Sequence, residues 1–111
     1  MSDIPAVKRQ LKIKSGVVQR LAKETKLYRK ETGQLETKLE KLVADAADEW
    51  DVKNARKMVD ESNKMILDCT TRLGKAVEDL QALIKSAKEE TGLAATDEDL
   101  VKAEQTIQET A

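Results

Sequence analysis

VKNARKMVDESNKMILDCTTRLGKAVEDLQALIKSA, residues 52–87, decides the fold. Alternating steps of three and four place Val52, Ala55, Val59, Ser62, Ile66, Cys69, Leu73, Ala76, Leu80, Leu83 and Ala87 on one stripe. These are consecutive a and d sites of a heptad, and Ser62 is the only polar one. Met58, Met65, Val77 and Ile84 flank the stripe and widen it. Such a seam over five heptads predicts a long amphipathic helix that must lie against other helices.

A partner of equal length precedes it. Ile4, Val7, Leu11, Lys14, Val18, Leu21, Thr25, Tyr28, Thr32, Leu35, Leu39 and Leu42 repeat the three-four pattern, with Ile13, Val17 and Leu27 beside it. Pro5 suits a first helical turn, where its missing N–H costs nothing. Gly16 and Gly33 each weaken the helix by roughly 1 kcal/mol relative to Ala, and local weakness is expected near Gly33. Lys14, Thr25 and Thr32 interrupt the seam and suggest places where this helix does not bury it. Around Ala44–Trp50 the heptad phase is lost, and Asp48 or Asp51 is the expected cap of the next helix. Nothing there forces a break as Pro would, so one continuous helix is an alternative to a hairpin. Equal lengths favour the hairpin: at ~1.5 Å per residue each helix is on the order of 60 Å long. Thr91 and Gly92 end the second helix. Thr96 is the expected cap of a short third one, with Asp97, Glu98 and Asp99 filling its first turn. The third helix has Leu100, Val101, Ala103 and Ile107 as its apolar residues, and it either lies across one end of the hairpin or frays. The expected architecture is an all-α three-helix bundle in one domain, 1–111. Two long antiparallel helices form a coiled-coil-like hairpin, at about 5–45 and 51–90, with a short helix at about 97–110.

The composition suits long helices. Of the 111 residues, 37% are charged and 2% aromatic, with no Phe and no His. Net charge is −1, but residues 1–30 hold nine Lys or Arg against Asp3 and Glu24, a local balance of +7. A split of this kind can steer an acidic partner to one end. It is equally what a long solvated helix requires. Cys69 is the sole cysteine, so no disulfide can form within the chain, which fits a reducing compartment. No apolar run of ~18 residues offers a membrane span. The N-terminus lacks a signal-peptide core. A soluble, cytoplasmic protein is expected.

Catalysis has little to work with. There is no His to act as a base or metal ligand near neutral pH. Cys69 sits at a core position and reads as a small buried hydrophobe. The acidic run 97–99 lacks the spacing and Gly of a calcium loop. The chain is therefore read as a non-enzyme without cofactor or metal, acting through helix surfaces. Candidate contacts are the basic residues Lys8, Arg9, Lys12, Lys14, Arg20 and Lys23. Trp50, Met58 and Met65 are candidate adaptable apolar contacts, although core packing is the simpler role for the two Met. A self-associating coiled-coil scaffold is an alternative, and a first helix lying on anionic lipid is a weaker one.

Two segments resemble a known family. Lys12-Ile-Lys-Ser-Gly-Val-Val-Gln-Arg-Leu21 followed by Tyr28, and Trp50-Asp-Val-Lys53 with Glu61-Ser-Asn-Lys-Met-Ile-Leu-Asp-Cys69 and Arg72-Leu73, are similar to tubulin-binding cofactor A. The likeness spans roughly residues 8–84, in the family's order and spacing. Leu67 stands where the family usually has Pro, so the second helix should lack a kink there. Trp50 stands where the family often has Tyr. The resemblance implies a cytoplasmic chaperone, associated with the microtubule cytoskeleton, that holds β-tubulin before it joins α-tubulin and uses no nucleotide. It implies indirect links to other tubulin-folding cofactors and no nucleic-acid or membrane partner, and it leaves a homodimer open. Tyr28 and Asp68, which lie in these motif segments, join Trp50 and Met65 among the candidate contacts, and Lys12 and Lys14 become the strongest of the basic ones.

Overall fold

The computed structural model describes residues 3–110, and these are all-α. Helix α1 spans Ile4–Ala44, α2 spans Glu49–Glu89 and α3 spans Glu98–Thr110.

Local chemistry sets each boundary. The Asp3 carbonyl accepts the Val7 N–H at 3.0 Å, and Pro5 lies in the first turn of α1. At the other end the Ala46 N–H donates to the Val43 carbonyl (3.2 Å) and the Ala47 N–H to that of Leu42 (3.0 Å). This paired closure terminates a helix around a left-handed residue, usually Gly. Here Ala46 holds that conformation, with φ 51°. The chain thus turns between the long helices, and the continuous-helix alternative is ruled out. Asp48 caps α2: its Oδ1 faces the Trp50 N–H at 3.4 Å and its carbonyl accepts the Val52 N–H at 3.1 Å. Asp51 lies inside the first turn. Gly92, at φ 69°, ends α2, with the Leu93 N–H donating to the Ala87 carbonyl at 2.9 Å. Asp97, not Thr96, caps α3. Its Oδ1 accepts the N–H groups of Asp99 (3.0 Å) and Leu100 (3.1 Å). A carboxylate has a second oxygen to spend elsewhere, which a threonine hydroxyl has not.

The chain forms two compact units, one from residues up to Ala22 with those from Thr71 onward, the other from Lys23–Thr70. In the first, Leu11, Val18, Leu80, Ala87, Leu100 and Ala103 are wholly buried. Val7, Leu73, Leu83, Ile84, Leu93 and Ile107 are among those packed on them. Each large apolar side chain so buried contributes roughly 1.5–3 kcal/mol. That packing holds α3, which at 13 residues is near the lower limit for a helix in isolation. The Gln19 Nε2 donates to Thr106 Oγ1 at 3.2 Å, and Lys88 pairs with Glu104 at 3.2 Å. The third helix is therefore packed rather than frayed.

The second unit is a two-helix hairpin with a thinner interior. Ala55, Val59 and Cys69 are buried, with Thr25, Thr32 and Ser62, while Leu35, Leu39, Leu42, Val52 and Ile66 are only half-buried. Two helices cannot enclose a large side chain on all sides, so small residues occupy the centre. The largest fully buried side chains, Leu11, Val18, Leu80 and Leu100, all belong to the first unit. The seam of α1 is buried where its polar residues were expected to leave it open: Thr25 is 3% exposed and Thr32 4%. Their hydroxyls are satisfied at the seam. Thr32 Oγ1 donates to the Tyr28 carbonyl at 2.9 Å and is also hydrogen-bonded to Ser62 Oγ. The single Thr32 proton is committed to Tyr28, so Ser62 is the donor to Thr32. Helix α2 continues through Leu67, which is exposed.

Candidate partner-binding surfaces

The expected contact residues divide between the units. In the first, the N-terminal turns of α1 project Lys8 and Lys12 towards the capped start of α3. Lys8 Nζ lies 3.0 Å from Asp97 Oδ2 and 3.8 Å from Asp99 Oδ2, and Lys12 Nζ lies 3.7 Å from Asp99 Oδ1. The hydrogen bond to Asp97 raises the Lys8 pKa, and that bond likewise lowers the Asp97 pKa, helped by the backbone donors of the cap. Glu98 is lowered and Lys102 raised by their own pair at 3.0 Å. Two of the basic residues are thus engaged within the chain. They help hold α3. The run 97–99 is more than a helix start, since two of its acids neutralise a neighbouring helix.

Arg9 is exposed beside them, in an open depression of about 590 Å³ with Ile4, Pro5, Lys8, Lys12 and Asp99. Lys14 is half-buried and lines a pocket of about 160 Å³ with Ile13, Val17, Ala76 and Asp79. A lysine seated this way covers apolar surface with its methylenes and keeps its head in water, so an a/d position does not by itself mark a contact. Arg20 is exposed.

In the second unit Lys23, Met65 and Asp68 are exposed, Tyr28 is half-buried and Trp50 is 68% exposed. Met58 and Met65 are exposed at the edge of the seam, not packed within it. Met58 lines a groove of about 140 Å³ with Leu35, Lys38, Leu42, Asp51, Asn54 and Ala55. Six of the exposed large apolar residues, Leu27, Val43, Trp50, Met58, Met65 and Leu67, belong to this unit. Lys53, Arg56 and Lys57 line the outer face of α2 with Trp50 but are not among the contacts expected from the sequence, where Lys53 enters only as part of the Trp50–Lys53 motif. The available signal was spacing: Lys53 is three residues from Trp50 and Lys57 four beyond Lys53, which puts all three on one strip of the helix.

Among the described residues no group of three or more His, Cys, Asp or Glu is placed to hold a metal ion. None of the described helices is long and apolar enough to cross a membrane. What the surfaces offer is non-covalent recognition by cations and adaptable apolar side chains.

Comparison with known proteins gives these surfaces a context. The profile of the family described as tubulin binding cofactor A matches residues 6–107, beyond the segment that carried the sequence motifs. The tubulin-specific chaperone A of Gallus gallus is 48% identical over 81 residues, 73% of this chain and 75% of that protein. The crystal structure of tubulin folding cofactor A from Arabidopsis thaliana superposes with a TM-score of 0.84 at 30% identity, covering 95% of both chains. The human tubulin chaperone cofactor A structure gives 0.77 at 37% identity, over 93% of this chain and 96% of that one. With the profile spanning all three helices and the fold shared throughout, the chain belongs to the tubulin-binding cofactor A family.

Proposed function

We propose that this protein binds β-tubulin before it joins α-tubulin, without nucleotide, and acts as a reservoir rather than a catalyst. The observation that carries the reading is the family match over residues 6–107. The exposed apolar side chains of the hairpin, Met58 and Met65 above all, supply surface that repacks against a client in more than one conformation. The mechanism is mass action: binding one state of the monomer lowers its free concentration and opposes aggregation, and release passes it to the next cofactor.

Tubulin is acidic, so the cations of α1 would speed encounter, and salt would slow it. With Lys8 and Lys12 committed to Asp97 and Asp99, steering falls to Arg9, Lys14 and Lys23. The test is retention from cell extract on the immobilised protein. β-Tubulin should be retained in preference to α-tubulin or the heterodimer, equally with and without added ATP or GTP. Retention of α-tubulin or heterodimer alone, or of no tubulin, sinks the proposal. Reversal of Arg9 and Lys23 to Glu should slow association at low salt, and an unchanged rate would remove the steering component.

A further inference from the structure

We propose that the outer face of the first three turns of α2 is a docking site for an acidic peptide segment that carries an apolar side chain among its acids. Trp50, Lys53, Asn54, Arg56, Lys57 and Asp60 line one open depression there, of about 590 Å³. Trp50 lies at 68% exposure next to the turn between the long helices. Large aromatics are seldom left so open on an isolated surface; burying this ring against a ligand would recover most of its apolar area. Lys53 is three residues from Trp50, and Lys57 four further on, so all three fall on one strip of the helix surface. Arg56 borders it.

These cations are not spent inside the molecule as four others are. Lys8, Lys12, Lys88 and Lys102 each pair with a carboxylate within 4.0 Å. Lys53, Arg56 and Lys57 have no ion pair among the described residues, and their donors remain available. Three unpaired cations beside an exposed ring complement carboxylates flanking an apolar or aromatic group. Arg56 can hold a carboxylate in two-point contact, and the lysines act as mobile point charges. Asn54 adds an amide able to donate to and accept from an extended backbone. Asp60 closes the strip at its C-terminal end, which favours a short acidic segment over a continuous polyanion such as a nucleic acid. The site depends on charge and an aromatic surface, so it stands whether or not the tubulin proposal holds.

Trp50 is the sole Trp, so its emission reports the site directly. The probe is a synthetic peptide, Glu-Glu-Asp-Leu-Glu-Glu-Phe-Glu-Glu, titrated into the full chain. Controls are the same peptide with Gln and Asn for the acids, a dT12 oligonucleotide, and phosphatidylserine vesicles. Expected results are a saturable change in Trp50 emission with the acidic peptide only, and at least tenfold weaker binding at 300 mM salt than at 50 mM. K53E/K57E should weaken binding at least tenfold, followed by anisotropy of a labelled peptide, with helical circular dichroism unchanged. W50A, read by the same anisotropy, should weaken it at least threefold. No saturation, equal binding of the Gln/Asn peptide, or insensitivity to K53E/K57E would overturn the proposal. Tighter binding of dT12 or of vesicles than of peptide would also overturn it and reassign the face.

Discussion

The buried hydroxyl pair between α1 and α2 gives a prediction whose sign depends on which side chain is the donor. Thr32 donates to the Tyr28 carbonyl, so Ser62 must donate to Thr32. Replacing Thr32 by Val keeps the shape and removes the acceptor, leaving the Ser62 hydroxyl in the seam without its partner. An unsatisfied buried polar group costs about 1–3 kcal/mol. Ser62 can turn back to a carbonyl of its own helix, so the lower half of that range, about 1–2 kcal/mol, is expected. Ser62→Ala removes the donor only. The Thr32 proton stays satisfied by Tyr28, and Ala gains roughly 0.5 kcal/mol of helix propensity over Ser. The net cost should be below about 0.5 kcal/mol. The double variant has no orphan and should recover most of the Thr32→Val loss. The assay is urea unfolding followed by circular dichroism and by Trp50 emission, which reports the second unit. Coincident curves support two-state treatment. A Ser62→Ala cost equal to or above that of Thr32→Val, or a double variant at the sum of the singles, would refute the proton assignment.

Three further outcomes follow from the same geometry. Leu100→Ala empties a fully buried position and should cost about 2–5 kcal/mol, whereas Val101→Ala, one residue along on the exposed face, should cost below about 1 kcal/mol in the same denaturation series. Ala46→Gly relieves a left-handed alanine worth roughly 1–2 kcal/mol while loosening the unfolded chain by about 0.4–1 kcal/mol, so thermal melts should show a small net stabilisation; Gly92→Ala should show the opposite sign. The contribution of the Lys8–Asp97 pair to stability should be constant between about pH 4 and pH 10 and fall outside that window. The lowered Asp97 contributes fully above its ordinary value of 3.8 and is lost as pH falls through its folded pKa, while the raised Lys8 contributes fully below 10.5 and is lost as pH rises through its own. Asp97→Asn keeps a good cap and removes the charge, so comparing denaturation midpoints of the two proteins from pH 2 to 6 should show a shallower acid limb in the variant; identical limbs would exclude the Lys8–Asp97 pair as its source.

The heptad of α2 was sufficient to read the helical class, because burial of a stripe every three or four residues depends on local spacing alone. Nearly the whole α1 seam was legible for the same reason. The turn was harder. Gly92 announced one helix end, but Ala46 carries no sign of a left-handed conformation; the closure of the hairpin imposes it. The basic residues were legible as charges but not as contacts. Lys8 and Lys12 meet Asp97 and Asp99 across some ninety residues of chain, and Thr32 meets Ser62 across the turn. Periodicity cannot report such pairings. Nor could it say that Met58 and Met65 stay exposed, because that depends on how much of the seam the two helices of the hairpin cover. Sequence by itself determined that the chain is two long amphipathic helices and a short one, since amphipathicity is a property of spacing. Tertiary structure alone decided which charges are spent inside the molecule, which hydroxyls are buried in pairs, and which cations and apolar side chains remain for a partner. Those outcomes depend on distances between residues remote in sequence, where the energies of ion pairs and packing are set.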